Sequence, residues 1–99
     1  MTIAREEELY LPVKAFLEGQ GYAVKAEVRG CDLVARRGDE PPVIVELKKT
    51  FSLALLLQGV DRLAMSDQVY LAFAAPARAA SWRRDRKGVL KLCRRLGLG

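Results

Sequence analysis

The chain contains no histidine and only two cysteines among its 99 residues. Without histidine, Ser-His and Cys-His hydrolytic machinery is excluded, because the base that activates such a nucleophile is missing. A zinc site is disfavoured because there is no histidine ligand and no cysteine pair with zinc-ligand spacing. The two cysteines, Cys31 and Cys93, suit a reducing cytoplasm better than a disulfide framework. Carboxylates and lysines remain as the candidate catalytic groups.

Long apolar runs are also missing from the sequence. No stretch approaches the roughly 20 apolar residues of a membrane span, and nothing resembles a signal peptide. Ninety-nine residues are enough for one hydrophobic core but not for two. We therefore expect a single domain in the cytoplasm, without a membrane partner.

Positive charge is concentrated at the C-terminal end. Residues 76–99 contain eight basic residues and one acidic residue, whereas residues 1–75 contain nine basic and eleven acidic residues. Basic residues clustered in a helix can follow a phosphate backbone, although a solvated helix face is the alternative. The residues predicted to bind nucleic acid are Arg83, Arg84, Arg86 and Lys87.

The C-terminal segment is predicted to follow the core as a separate basic helix. We assign residues 1–76 to the core and residues 77–99 to this helical segment. Trp82 could stack on a base or pack in the core, and the core is favoured. Apolar residues continue to the end of the chain, which predicts either a further segment beyond it or a homodimer interface.

Hydrophobic periodicity predicts the order helix, three strands, helix, strand, followed by the basic helix. Ser52 is the expected N-cap of the second helix. That helix is expected to bury Leu53, Leu56, Leu57, Val60, Leu63 and Ala64. The predicted elements are a helix at 5–20, strands at 22–28, 31–36 and 42–48, a helix at 53–65 and a strand at 68–74. This order is typical of an α/β fold with a mixed central sheet flanked by helices.

Two carboxylates are predicted to face each other on a hairpin. Residues 37–41 contain glycine, aspartate and proline and read as a turn, so Val34 should lie opposite Ile44 and Asp32 opposite Glu46. Opposed Cβ atoms lie roughly 5 Å apart, and paired carboxylates repel unless a cation lies between them. The sequence therefore predicts a Mg²⁺ or Mn²⁺ site. The alternative is a strand that simply ends in solvent.

Three further residues complete the candidate site. Lys48 shares a strand face with Glu46 and could lie beside an attacking water or a phosphate. Glu6 continues the apolar stripe of the first helix, so it either serves the metal site or complements the helix dipole. Gln58 is expected on the polar side of the second helix with Asp61 and Arg62.

These motifs resemble the PD-(D/E)XK nuclease superfamily over roughly residues 6–75. The segments that are similar to a bacterial group of uncharacterised PD-(D/E)XK phosphodiesterases are LYLPVK at 9–14, GCDLVA at 30–35, PVIVELK at 42–48 and LQGVDRL at 57–63. Many superfamily members have a proline before the first acid, whereas this chain has Gly30 and Cys31 there. Members of the closer group are longer, which is a second reason to expect a further C-terminal segment.

The resemblance implies a restriction-endonuclease-like core and a role for each candidate residue. Asp32 and Glu46 would bind Mg²⁺ or Mn²⁺, with a backbone carbonyl near Leu47 as third ligand. Lys48 would assist the attacking water, and the remaining site residues would be Glu6 and Gln58. The expected function is metal-dependent hydrolysis of phosphodiesters in nucleic acid, with DNA favoured. The alternative is a non-catalytic module of the same fold that binds nucleic acid or protein.

Overall fold

The computed structural model describes residues 7–74 and 80–99, apart from the side chains of Glu7 and Ser81. The elements are α1 (Glu7–Gly19), β1 (Ala23–Val28), β2 (Cys31–Arg36), β3 (Val43–Lys48), α2 (Leu53–Arg62), β4 (Gln68–Phe73) and α3 (Ala80–Leu96). Their order is the predicted one. The protein is an α/β domain whose four-stranded mixed sheet is flanked by helices.

The strands lie in the order β1-β2-β3-β4. Strands β1, β2 and β3 are antiparallel neighbours, and β4 pairs parallel to β3 after the crossover through α2. Val34 lies opposite Ile44, so the predicted hairpin register is confirmed. The turn is held by a hydrogen bond from the Glu40 N–H to the Arg37 carbonyl at 3.1 Å. Because the turn sets the register, it also determines which carboxylates face each other.

The two faces of the sheet bury separate apolar clusters. The cluster on the α1 side consists of Leu17, Leu33, Ala35, Val43, Val45 and Leu47. The second cluster consists of Cys31, Ile44, Leu56, Val69, Cys93 and Leu98 and lies on the α2 and α3 side. Alternation along β3 therefore directs Ile44 and the residues in phase with it, Glu46 and Lys48, toward α2.

Helix α2 begins as predicted but differs in length and in its buried face. The Ser52 hydroxyl accepts a hydrogen bond from the Leu55 N–H at 3.1 Å, which confirms the N-cap. The helix ends at Arg62 rather than Met65. It buries Leu55, Leu56 and Gly59, whereas the predicted core residues Leu53, Leu57 and Val60 are 67%, 57% and 39% exposed. The leucines of this helix lie on several of its sides, so hydrophobic periodicity could not identify the side that packs on the sheet.

The C-terminal helix contributes to the core. Helix α3 ends at Leu96, and the next residue, Gly97, has a φ of +78°, the left-handed conformation of a glycine that terminates a helix. The Leu98 N–H then bonds to the Cys93 carbonyl at 2.8 Å, and Leu98 forms a parallel bridge with Val69 of β4. Cys93 and Leu98 are both buried. The basic segment is therefore a helix, as predicted, and its apolar side supports the sheet.

Two helical glycines predict opposite effects of an added methyl group. A Cβ at Gly59 would lie 2.7 Å from Leu71 Cδ2 and 3.3 Å from both methyl groups of Leu98. We expect Gly59→Ala to lower the free energy of unfolding by about 1–3 kcal/mol because the core is overpacked. Gly88 in α3 has nothing within 4 Å, so Gly88→Ala should raise stability by about 0.5–1 kcal/mol through helix propensity. Urea unfolding of both variants measures the difference, and a stabilised Gly59→Ala would contradict the packing of α2.

Candidate active site

Glu46 is a buried carboxylate near the end of a strand. The first three residues of β3, Val43, Ile44 and Val45, are apolar and buried, and Glu46 itself is only 1% exposed. A carboxylate in this position loses its hydration unless hydrogen bonds or a cation replace it. The surroundings of Glu46 therefore decide what the site can do.

Asp32 lies beside Glu46 on the neighbouring strand. The Asp32 carboxylate accepts a hydrogen bond from the Leu47 N–H, with 2.8 Å between Oδ2 and N. The Asp32 N–H in turn donates to Glu46 Oε2 at 3.4 Å. The last pair of the β2–β3 ladder is Leu33 with Val45, and Asp32 and Glu46 are the residues next to that pair. The structure thus brings together the two carboxylates that the turn predicted to be neighbours.

Arg62 is the counter-ion that sequence reasoning missed. Its Nε donates to Glu46 Oε1 at 2.6 Å, and its Nη2 donates to the Gly30 carbonyl at 2.8 Å. The Arg62 side chain is 19% exposed. The sequence suggested a polar, outward position beside Gln58. One signal could have indicated the contact, because a carboxylate on an apolar strand requires a positive partner and Arg62 is the basic residue of the helix that follows.

The protonation of Glu46 reflects three opposing influences. Burial raises the pKa of Glu46 above its ordinary value, the Arg62 hydrogen bond lowers it, and the Asp32 carboxylate raises it. The net shift in the Glu46 pKa is upward, so the fold disfavours the ionised form despite Arg62. Burial also raises the pKa of the Cys31 thiol, while the charge of Arg62 lowers it. A cation between the carboxylates would stabilise their ionised forms.

The remaining predicted site residues differ in how the structure places them. Lys48 is half-buried and lies in phase with Glu46 on β3, two residues further along. Gln58 is half-buried on α2, and its Oε1 is buried with no hydrogen-bond partner among the described residues. Glu6 lies outside the described residues, so its predicted role stays a prediction.

The donor set is compatible with a hard divalent cation. Across residues 7–74 and 80–99, no group of three or more His, Cys, Asp or Glu side chains is placed to hold a metal ion. The donors that the structure brings together are the carboxylates of Asp32 and Glu46, both of them oxygen ligands, and the Leu47 carbonyl stays a predicted third ligand. Mg²⁺ takes few protein ligands and keeps several waters, so two carboxylates are enough for it. The unpartnered Gln58 Oε1 provides a further oxygen on the facing helix.

The N-terminal part of α3, which is basic, lies at the same end of the sheet as Lys48. Lys48 is paired in register with Phe73, and the Phe73 ring contacts the Trp82 ring at 5.2 Å between centroids. Trp82 is half-buried in this contact, which agrees with the favoured core position. The four predicted nucleic-acid-binding residues follow directly and are exposed, namely Arg83, Arg84, Arg86 and Lys87. A polyanion lying along them would therefore approach the Lys48 end of the sheet.

A basic groove on the sheet was not foreseen from the sequence. It has a volume of about 590 Å³, and its basic lining residues are Lys25, Arg29 and Arg36. Val34 and Ile44 form part of its floor, and they lie in phase with Asp32 and Glu46 on their strands. The pairing of β1 with β2 places Lys25 opposite Val34. A prediction of that pairing from the sequence would have indicated a basic residue on this face of the sheet. Charge of the sign that attracts phosphate thus lies on the same side of the sheet as the carboxylates.

Comparison with protein-family models, with curated proteins and with solved structures finds no match to this chain. The resemblance to the PD-(D/E)XK superfamily therefore stays a prediction, and any functional argument depends on the geometry of the site. In the described part of the chain, no helix is both long enough and apolar enough to cross a membrane.

Proposed function

We propose that this protein is a metal-dependent phosphodiesterase that acts on nucleic acid, with DNA the favoured substrate, on a restriction-endonuclease-like core. The observation that carries the proposal is the contact between Asp32 and Glu46 on adjacent strands, at the hydrogen-bonding distances given above. A buried carboxylate beside a second, half-buried one destabilises a sheet, so the presence of the pair favours a functional reason. Lys48 and the basic start of α3 lie at the same end of the sheet.

Each residue has a distinct role in the proposed reaction. Asp32 and Glu46 would hold Mg²⁺ or Mn²⁺, with the Leu47 carbonyl as third ligand and Glu6 completing the site. When bound, the metal ion would polarise the phosphoryl group and promote ionisation of the attacking water. Lys48 would stabilise charge that develops at the reacting phosphate. Gln58 would orient the substrate through its side-chain amide.

Substrate binding would depend on the exposed basic residues. The start of α3 and the groove beside β1 and β2 both present arginine and lysine side chains. The described residues that line the groove include no acidic cluster. Contacts of this kind follow the phosphate backbone and carry no sequence specificity. The proposal therefore favours nucleic acid over a small phosphodiester as the substrate.

A non-catalytic binding module is the second candidate function. It is favoured by one observation, which is that both carboxylates already have protein partners: Arg62 for Glu46 and the Leu47 N–H for Asp32. A module of this kind would keep the fold and the basic surfaces and would need no metal ion. Cleavage assays distinguish the two candidates directly.

The test compares two aspartate variants in one cleavage assay. Labelled single-stranded DNA, duplex DNA and RNA are incubated with Mg²⁺ or Mn²⁺ and the wild-type protein, Asp32→Asn or Asp39→Asn. Asp39 is an exposed residue in the β2–β3 turn and serves as the matched control. We expect wild-type and Asp39→Asn to cleave at least one substrate and Asp32→Asn to lose about 10²-fold or more of the rate. Equal rates for Asp32→Asn and Asp39→Asn would exclude the proposed site.

A further inference from the structure

Arg62 contacts the carboxylate that the metal ion would require. Its guanidinium bonds to Glu46 Oε1 at 2.6 Å and to the Gly30 carbonyl at 2.8 Å, so it bridges β3 and the β1–β2 turn. Glu46 is 1% exposed, and it also accepts a hydrogen bond from the Asp32 N–H at the longer distance of 3.4 Å. In this arrangement Arg62 neutralises one of the two acidic charges.

We propose that Arg62 is a built-in competitor of the divalent cation at Glu46, so that metal binding must release or outweigh the Arg62–Glu46 ion pair. The inference rests on the proposed function, because it assumes that Asp32 and Glu46 bind the metal. A guanidinium and a divalent cation on one carboxylate repel each other strongly in a poorly hydrated site. The affinity for metal is therefore lower than the two carboxylates alone would give.

The surroundings of Arg62 allow it to leave. Its Nη1 lies 3.5 Å from Asp61 Oδ2, and the Asp61 side chain is 80% exposed. The Arg62 side chain is 19% exposed, so part of it already contacts solvent. A released guanidinium would keep Asp61 as a partner at the surface. The titratable groups that act on Arg62 are thus Glu46 on β3, Asp61 on its own helix and the Cys31 thiol on β2.

A role for Arg62 in orienting Glu46 predicts the opposite change in metal affinity. If Arg62 only oriented Glu46 for the metal, then removing the guanidinium would weaken metal binding, because Glu46 would lose its alignment and would bind a proton more tightly. If Arg62 competes with the metal, its removal strengthens binding. The direction of the change in metal affinity therefore separates the two roles.

The experiment titrates Mn²⁺ into the full chain and follows binding by the electron paramagnetic resonance of free Mn²⁺. Wild-type, Arg62→Gln and Arg37→Gln are compared at a pH well above the Glu46 pKa. Arg37 is the matched control, because its Nε pairs with Glu40 Oε2 at the same 2.6 Å in the β2–β3 turn, at the other end of β2 from Asp32. We expect Arg62→Gln to bind Mn²⁺ about tenfold more tightly than wild-type, and Arg37→Gln to match wild-type.

A second measurement uses the wild-type protein alone, since Arg62→Gln could fail to fold without metal. The Arg62 Nε–H signal in a nitrogen–proton correlation spectrum should show a strong hydrogen bond without Mg²⁺ and should lose it on Mg²⁺ saturation. Tighter Mn²⁺ binding by Arg62→Gln, or release of that signal, supports the inference.

Failure of the competitor role can be distinguished from failure of the proposed function. If wild-type binds metal but Arg62→Gln binds no more tightly and the Arg62 signal persists on saturation, the competitor role is wrong and the proposed function stands. If neither wild-type nor Arg62→Gln binds Mn²⁺ or Mg²⁺, both the inference and the proposed function are wrong.

Discussion

Replacing Lys48 with alanine is expected to reduce nucleic-acid cleavage by about 10²–10³-fold, the usual loss when one charge-stabilising group is removed from a reacting centre. Binding of the same substrate should change by less than about threefold, because one ammonium is a small part of an affinity shared by many phosphate contacts. Single-turnover cleavage rates and equilibrium binding, measured on one labelled substrate, separate the two effects.

Lys49→Ala is the control for this experiment. Lys49 is the next residue, carries the same charge and is exposed just beyond the end of β3. We expect it to cleave at nearly the wild-type rate. A binding module predicts instead that both alanine variants show only a small loss of affinity. Equal cleavage by Lys48→Ala and Lys49→Ala would remove Lys48 from the proposed chemistry.

Neutralising the start of α3 is expected to have the largest effect on binding. The fourfold variant Arg83→Gln, Arg84→Gln, Arg86→Gln and Lys87→Gln should bind nucleic acid much more weakly at low salt. Each lost contact to duplex DNA should lower the slope of log affinity against log salt by about 0.9. These residues are exposed and none of them belongs to the apolar clusters, so the fold should be retained. Binding isotherms at four salt concentrations provide the slope.

The opposite end of the same helix provides the matched control. Arg94 and Arg95 lie in the last turn of α3, close to where Leu98 pairs with Val69 at the start of β4. The double variant Arg94→Gln and Arg95→Gln should change the salt slope less, because these residues are far from the Lys48 end of the sheet. A larger change for this pair would place the nucleic acid elsewhere. Deleting residues 83–99 would not test the point, since Cys93 and Leu98 are buried.

The order of the elements along the chain and the carboxylate pair could be predicted because they depend on short-range signals. The turn at 37–41 determines the pairing of β2 with β3, and that pairing places Asp32 beside Glu46 whatever the rest of the chain does. The Ser52 cap is local for the same reason, because it involves one hydroxyl and the N–H three residues later.

The buried face of α2 and the contact of Arg62 with the Gly30 carbonyl could not be predicted, because they depend on contacts distant in sequence. Gly59 is buried because Leu71 and Leu98 lie against it, and both come from later elements. The Arg62 contact to Gly30 joins residues 32 positions apart. Neither contact leaves a periodic pattern in the helix, and a leucine-rich helix offers apolar residues on several sides.

The buried carboxylate of Glu46, with the Asp32 carboxylate beside it, is costly for a small domain. The total stability of such a domain is typically about 5–15 kcal/mol, so an uncompensated buried charge uses a large share of it. Arg62 compensates one of the two charges in the metal-free protein. The same ion pair explains why the site could persist in a binding module that needs no metal.

The most direct test of the central claim is metal removal and restoration on the wild-type protein. After treatment with a chelator, the protein is assayed on single-stranded DNA, duplex DNA and RNA without metal, and then with Mg²⁺ or Mn²⁺ restored in excess. The account predicts no cleavage without metal and recovery of cleavage of at least one substrate when metal is restored, with Asp32→Asn inactive throughout. Tight nucleic-acid binding with no cleavage under any metal condition would contradict the enzyme and leave the binding module.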